Sequence, residues 1–420
     1  MKRLLSAIGP AIIIAAVVLG PGSILTSSKV GASQGLAGIP TICVACILMM
    51  GMVILSTRLG AVCEHSLCTE IALRLGRPAA VTIGIVFFLL VAIFQSSNNI
   101  AVIGGLEPLL GDEELGLSSR IVLLAGFNLM LITCLYLLRD LYSSIERLMK
   151  VLIAVMGLAF ITNLAFVLWR NRGYEAVVPN SDIDWLAITG MIGTTFSVGG
   201  AFYQAYLVRE KGWGIDDVRH GTIDSVVSIS ILGGITCVVL LTSWRVFYGN
   251  PGQPVFGSVR DVAIILEPSL GAQSRILFAC GILAGAMSSF LGNALIGGTV
   301  LSDSLGKGAR LEDKWPLHFT TTALLTGMAA AIAALGEKES IVPLITFAQA
   351  LTVLGLPAIA AALVYLGTRP DLRARAHFPR WLLGLTTIGL IVSCGLAALT
   401  TNLVWSKLTT VTEVSEAGLN

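Results

Sequence analysis

The chain has 420 residues, of which 55% are hydrophobic and only 12% charged, and its mean hydropathy is +0.85. So few charges could not cover the surface of a soluble core of that size, and a net charge of +2 offers nothing to a nucleic-acid partner. The apolar stretches between the charges run to about 20 residues, the length that crosses a bilayer, so the sequence predicts an all-α integral membrane protein.

In chain order, the first predicted span covers 6–33 and is interrupted. Ile12 to Leu19 is uniformly apolar, Gly20-Pro21-Gly22-Ser23 follows, and the apolar pattern resumes at Ile24. Pro lacks the backbone donor and Gly costs about 1 kcal/mol in a helix, so the span should unwind there. Lys2 and Arg3 precede this run, which is long and lacks a clear small-residue cleavage site, so it reads as a retained span rather than a signal peptide. Uninterrupted spans are predicted at 39–60, 79–106, 120–138 and 146–169. The sixth, 185–208, carries Ser197-Val198-Gly199-Gly200 at its centre and should break in the same way. Spans at 225–248, 273–301, 317–335, 341–367 and 381–404 bring the total to about eleven.

Basic residues set the orientation. With the amino end inside, the inner connectors hold Arg58, Arg74, Arg77, Arg209, Lys211, Arg310 and their like, in an excess over the outer side of roughly two to one. The amino end is therefore expected inside and the carboxyl end outside, with 405–420 as an outer tail. Most of the eight cysteines fall within apolar spans, where the thiol behaves as a small hydrophobe. Cys63 and Cys68 flank His65 but lack the paired spacing of a zinc site, and are read as ordinary thiols.

Gly20 and Gly199 lie about 180 residues apart, and five spans begin at each broken one. An odd number of spans per unit inverts the second unit relative to the first, giving two repeats at about 6–169 and 185–367 within a single domain, 1–367. The span at 381–404 lies outside them. Matched broken helices in two halves of a chain mark the binding site of a secondary transporter.

The local sequences carry a resemblance. Gly20-Pro21-Gly22-Ser23-Ile24 followed by Gly31-Ala32 is similar to the first-helix motif of the Nramp metal transporters, Asp-Pro-Gly-Asn and a small-residue pair. Ile192 to Val208 resembles their sixth helix with its Met-Pro-His. Ile145-Glu146, Leu283 to Gly298, and Gln349 with Leu356-Pro357 match further spans in order. The resemblance implies a LeuT-like (APC superfamily) inverted repeat with helices 1 and 6 broken. Carried over residue by residue, however, the family's metal-binding Asp falls on Gly20 and its Asn on Ser23. Its Met falls on Ser197 and its His on Gly199. The acids of its proton route fall on Asn98 and Ala101, and Gln349 alone keeps a family site residue.

Gly20, Ser23, Thr26, Ser197, Gly199, Gly200, Tyr203 and Gln349 are the expected substrate-binding residues, with Lys29, Asn98 and Gln204 as accessory contacts. Lys29, nine residues past the break, either faces the cavity or snorkels to the outer interface. Glu107, Glu146 and Asp224 all fall at predicted span ends, which leaves a dication without carboxylate ligands. Exposed half-helix starts and small side chains suit a small polar or anionic solute instead. Two alternatives stand beside that expectation. One is an uncoupled, weakly binding carrier of hydrated Mg²⁺ or Mn²⁺, the other a sensor or scaffold without transport. No cofactor, nucleotide loop or nucleophile–base pair is expected, so the chain is not read as an enzyme. Its partners are the solute or ion and the lipid bilayer, and nothing in the sequence requires more than a monomer.

Overall fold

Fifteen α-helices follow one another in the computed structural model, which describes residues 9–110, 115–138, 140–170, 185–249, 272–335, 341–375 and 378–417. Helix α1 (Ala11–Val18) ends at Leu19, where the backbone leaves the helical region. Gly20 is extended (φ −85°, ψ 179°) and Pro21 opens α2 (Pro21–Gln34) at the position where its missing N–H costs nothing. Gly35 turns the chain with φ 61°, a conformation that favours glycine, and α3 (Gly38–Val62) returns. The short α4 (Leu67–Leu75) leads to α5 (Arg77–Leu110), α6 (Leu117–Leu137) and α7 (Leu141–Arg170).

The second interruption lies earlier than expected. Helix α8 (Trp185–Thr195) stops before Phe196, and Ser197 caps α9 (Val198–Glu210), its Oγ accepting from the Gly200 N–H at 3.4 Å. Gly199 and Gly200 thus form the first turn of α9 rather than the break. Then come α10 (Val218–Phe247), α11 (Ala272–Ser304), α12 (Lys314–Leu335), α13 (Ile341–Thr368), the short α14 (Pro370–Arg375) and α15 (Arg380–Ala417). Helix α15 runs well past residue 404, so much of the expected tail is helical.

Eight helical stretches among the described residues are long and apolar enough to cross a membrane. Dividing the first of them at the Gly35 turn and adding α13 and the broken pair α8–α9 gives the eleven crossings expected. The chain is a multi-pass membrane protein. Helices α1, α2, α3, α9 and α10 pack together, and α5, α11 and α12 form a second group against them. Polar ties replace the weak hydrophobic drive between helices in lipid. The Ala205 N–H donates to Ser56 Oγ at 3.1 Å and Gln204 Nε2 to Thr57 Oγ1 at 3.2 Å, joining α9 to α3. Ser243 Oγ donates to the Ser28 carbonyl at 2.7 Å, joining α10 to α2.

Buried acids are more numerous than the span ends implied. Helix α10 begins seven residues before the predicted span, which carries Asp224 well inside. Its carboxylate accepts from the Gly9 N–H at 2.7 Å and the Ala11 N–H at 2.8 Å, capping α1 from a neighbouring helix. Helix α11 likewise runs on to Ser304 and buries Asp303 at 2% exposure.

Candidate functional site

The two breaks meet. Gly20, Gly22 and Ser23 from the first and Thr194, Ser197, Gly199 and Gly200 around the second line one cavity of about 90 Å³. Val17, Val18 and Gly193 beside the breaks, Phe87, Leu90, Val91 and Phe94 from α5, Ser289 and Asn293 from α11, and Leu356 from α13 complete the described wall. Glycine is required at two of these positions by close approach. A Cβ on Gly20 would lie 2.5 Å from Ser289 Oγ, and one on Gly199 would lie 2.6 Å from the Phe87 ring.

The polar groups of the wall are neutral. Ser289 Oγ accepts from Asn293 Nδ2 at 2.9 Å, and Thr194 Oγ1 donates to the Gly190 carbonyl at 2.9 Å. Ser23 Oγ is buried and has no hydrogen-bond partner among the described residues. Helices α2 and α9 both begin at the cavity, so their first backbone N–H groups and positive dipole ends are directed to it. Among the described residues, no carboxylate, imidazole, thiolate or thioether stands in the wall. Nor do three His, Cys, Asp or Glu side chains come together anywhere among the described residues.

Of the residues singled out in the sequence, Gly20, Ser23, Ser197, Gly199 and Gly200 line this cavity, whereas Thr26, Lys29, Asn98, Tyr203 and Gln204 do not. Thr26 sits one turn beyond Ser23, with its hydroxyl 3.1 Å from that of Thr194. Tyr203 faces a separate void of about 10 Å³, and Gln204 is committed to Thr57. Asn98 does not reach the unwound first helix; its Nδ2 donates to Gln95 Oε1 at 2.6 Å, and Gln95 Nε2 donates to the Phe290 carbonyl at 2.6 Å. Lys29 is half-buried and outside the wall. Gln349 belongs to α13, but its side chain lies outside the described residues. Phe87, Ser289 and Asn293 were not singled out, because nothing local marks an apolar or small residue on a distant span as part of a site.

A larger cavity, about 420 Å³, opens at the face that carries Arg209 and Arg310, lined also by His65, Ser66, Thr69, Tyr206 and Glu210. Cys63 and Cys68 lie beside it on the α3–α4 connection and the first turn of α4. Burial pushes the Cys63 thiol up to about 12, aided by the Glu70 charge, and pushes Cys68 up further. Both are free thiols, and neither belongs to a group of three His, Cys, Asp or Glu side chains among the described residues.

Two broken helices that meet at one cavity, in a bundle of apolar helices long enough to cross a membrane, define a membrane transporter of LeuT-like fold. The family model described as Nramp, natural resistance-associated macrophage protein-like, matches residues 11–406, and the chain belongs to that family. It is 24% identical over 406 residues to a protein named divalent metal cation transporter MntH from Staphylococcus aureus, covering 90% of this chain and 87% of that one. A solved variant of the Eremococcus coleocola manganese transporter superposes with a TM-score of 0.76 at 17% identity, covering 98% and 92% of the two chains. MhsT in complex with L-phenylalanine superposes with a TM-score of 0.60 at 17% identity, covering 93% and 98%.

Proposed function

We propose that this chain is a secondary transporter whose central cavity carries a small polar solute, neutral or bearing a carboxylate, in place of a transition metal. One observation carries the reading: the cavity where both broken helices meet is walled by hydroxyls, an amide, backbone and apolar side chains, with no anionic or soft ligand among the described residues. Mn²⁺ and Fe²⁺ need carboxylate, imidazole or thioether donors, and even Mg²⁺ takes one or two carboxylates besides its waters. A dication held by hydroxyls and carbonyls alone would lose hydration without recovering it. Two half-helix N-termini and the unpartnered Ser23 hydroxyl offer donors to a carboxylate or hydroxyl instead.

Gly20, Ser23, Ser197, Gly199 and Gly200 are the proposed binding residues. The basic face is taken as cytoplasmic by the positive-inside rule, which sets the amino end inside. The chain is read as two repeats at about 6–169 and 185–367 with the last helix outside them, and alternating access rocks the helix group that contains the two broken spans against the rest. A second reading, an uncoupled carrier of hydrated divalent metal, draws on the names of the relatives and structural neighbours.

Uptake into proteoliposomes decides between them. A panel of amino acids and small hydroxylated or carboxylated solutes, run beside Mn²⁺ and Mg²⁺, should give saturable uptake of a panel member and none of either metal. Uptake of Mn²⁺ alone would establish the second reading. No uptake of any solute under any gradient would leave a sensor or scaffold.

A further inference from the structure

Asp303 gathers four donors. Its Oδ1 accepts from Ser66 Oγ at 2.5 Å and from Thr69 Oγ1 at 2.8 Å. Its Oδ2 accepts from the Cys68 N–H at 3.0 Å and from the Tyr206 hydroxyl at 2.7 Å. One carboxylate, 2% exposed at the end of α11, thereby holds the first turn of α4 and the far end of α9. Hydrogen bonds to a carboxylate are stronger than those between neutral groups. A weaker rung lies one turn away, where the Tyr203 hydroxyl stands 3.5 Å from Thr299 Oγ1. The Tyr203 and Tyr206 rings are stacked, with centroids 5.6 Å apart and planes at 21°.

This assembly separates two spaces. Val17 lines both the central cavity and the void of about 10 Å³ on which Tyr203 opens. Tyr206, stacked on Tyr203, lines the cavity of about 420 Å³ at the basic face. From the centre outward the order is therefore central cavity, small void, tyrosine pair and vestibule. Helix α9 borders the first space with its amino end and the last with its carboxyl end. A tilt of α9 away from α11 that joined them must break the Tyr206–Asp303 bond.

We propose that Asp303 is a positioning residue that latches the basic-face gate, and that release of the Tyr206 hydroxyl opens the central cavity to the vestibule. The proposal rests on the transporter reading above but makes no use of the substrate's identity. Nor does it involve the cavity wall itself.

Side-specific thiol labelling of the full-length protein in proteoliposomes tests it. Ser23→Cys puts a reporter in the central cavity at the cost of no hydrogen bond, and a membrane-impermeant methanethiosulfonate is applied from each face. Adding Tyr206→Phe, which removes one oxygen, or Asp303→Asn should raise labelling from the basic face tenfold or more and lower it from the opposite face. The native Cys68 thiol, followed by mass spectrometry, should become reactive in Asp303→Asn. Unchanged rates from the basic face in both variants would overturn the latch and leave the transporter reading standing. Equal increases from both faces would also overturn it, as mere loosening. A reporter reached from neither face in any variant would overturn the transporter reading, and the latch with it.

Discussion

The hydroxyls of Thr26 and Thr194 lie 3.1 Å apart, joining the half-helix after the first break to the half-helix before the second. Each hydroxyl has a single hydrogen, so with Thr194 donating to the Gly190 carbonyl, that of Thr26 is shared between the Gly22 carbonyl and Thr194 Oγ1. The contact ties the two half-helices together on the side of the cavity away from Asp303. Thr26→Val and Thr194→Val should each lower stability by about 1 kcal/mol. A double-mutant cycle from thermal unfolding should return a coupling of similar size. Additive losses would mean that the hydroxyls do not interact.

Gly199 leaves room under the Phe87 ring. Gly199→Leu should overpack the site, cost about 1–3 kcal/mol in unfolding, and abolish uptake of whatever solute the reconstituted protein carries. Adding Phe87→Ala should recover part of the lost stability. Full activity in Gly199→Leu would remove the second break from the transport path.

At the other end of α5, Arg120 Nη2 lies 2.7 Å from Glu107 Oε1, with the two side chains 12% and 3% exposed. Breaking such a pair leaves a buried charge, so Glu107→Gln should cost about 3 kcal/mol, whereas replacing both partners with Gln should cost less. Chemical denaturation of the purified protein checks the order of the three variants.

The thiol at Cys63 provides a pH test. Burial disfavours its charged form, which raises its pKa to about 12 and leaves little thiolate at neutral pH. Alkylation of Cys63 by iodoacetamide should remain slow through pH 9 and climb only as the solution approaches that value. An inflection near the ordinary thiol value of about 8.5 would show an exposed residue.

The first break was legible because Gly20-Pro21 leaves the helix no donor and no side-chain packing at that point. The second was placed slightly too late. Paired glycines fit the first turn of a helix as readily as a gap, and the stop at Phe196 carries no local signal. Asn98, expected as an accessory contact of the site, is buried but bonds Gln95, three residues back on the same helix. Asp303 escaped attention because its helix outlasts the apolar window by one turn. Its donors come from residues 66, 68, 69 and 206, a convergence that only the fold creates. Phe87 and Asn293 belong to the same class of tertiary information.

Titration calorimetry of the purified protein with Mn²⁺ bears most directly on the proposal that the crossing of the two interrupted helices holds no metal. Heat corresponding to a Kd no tighter than about 1 mM, roughly 4 kcal/mol of binding, is the expected result. A micromolar Kd, near 8 kcal/mol, would contradict it and return the site to the transition metals.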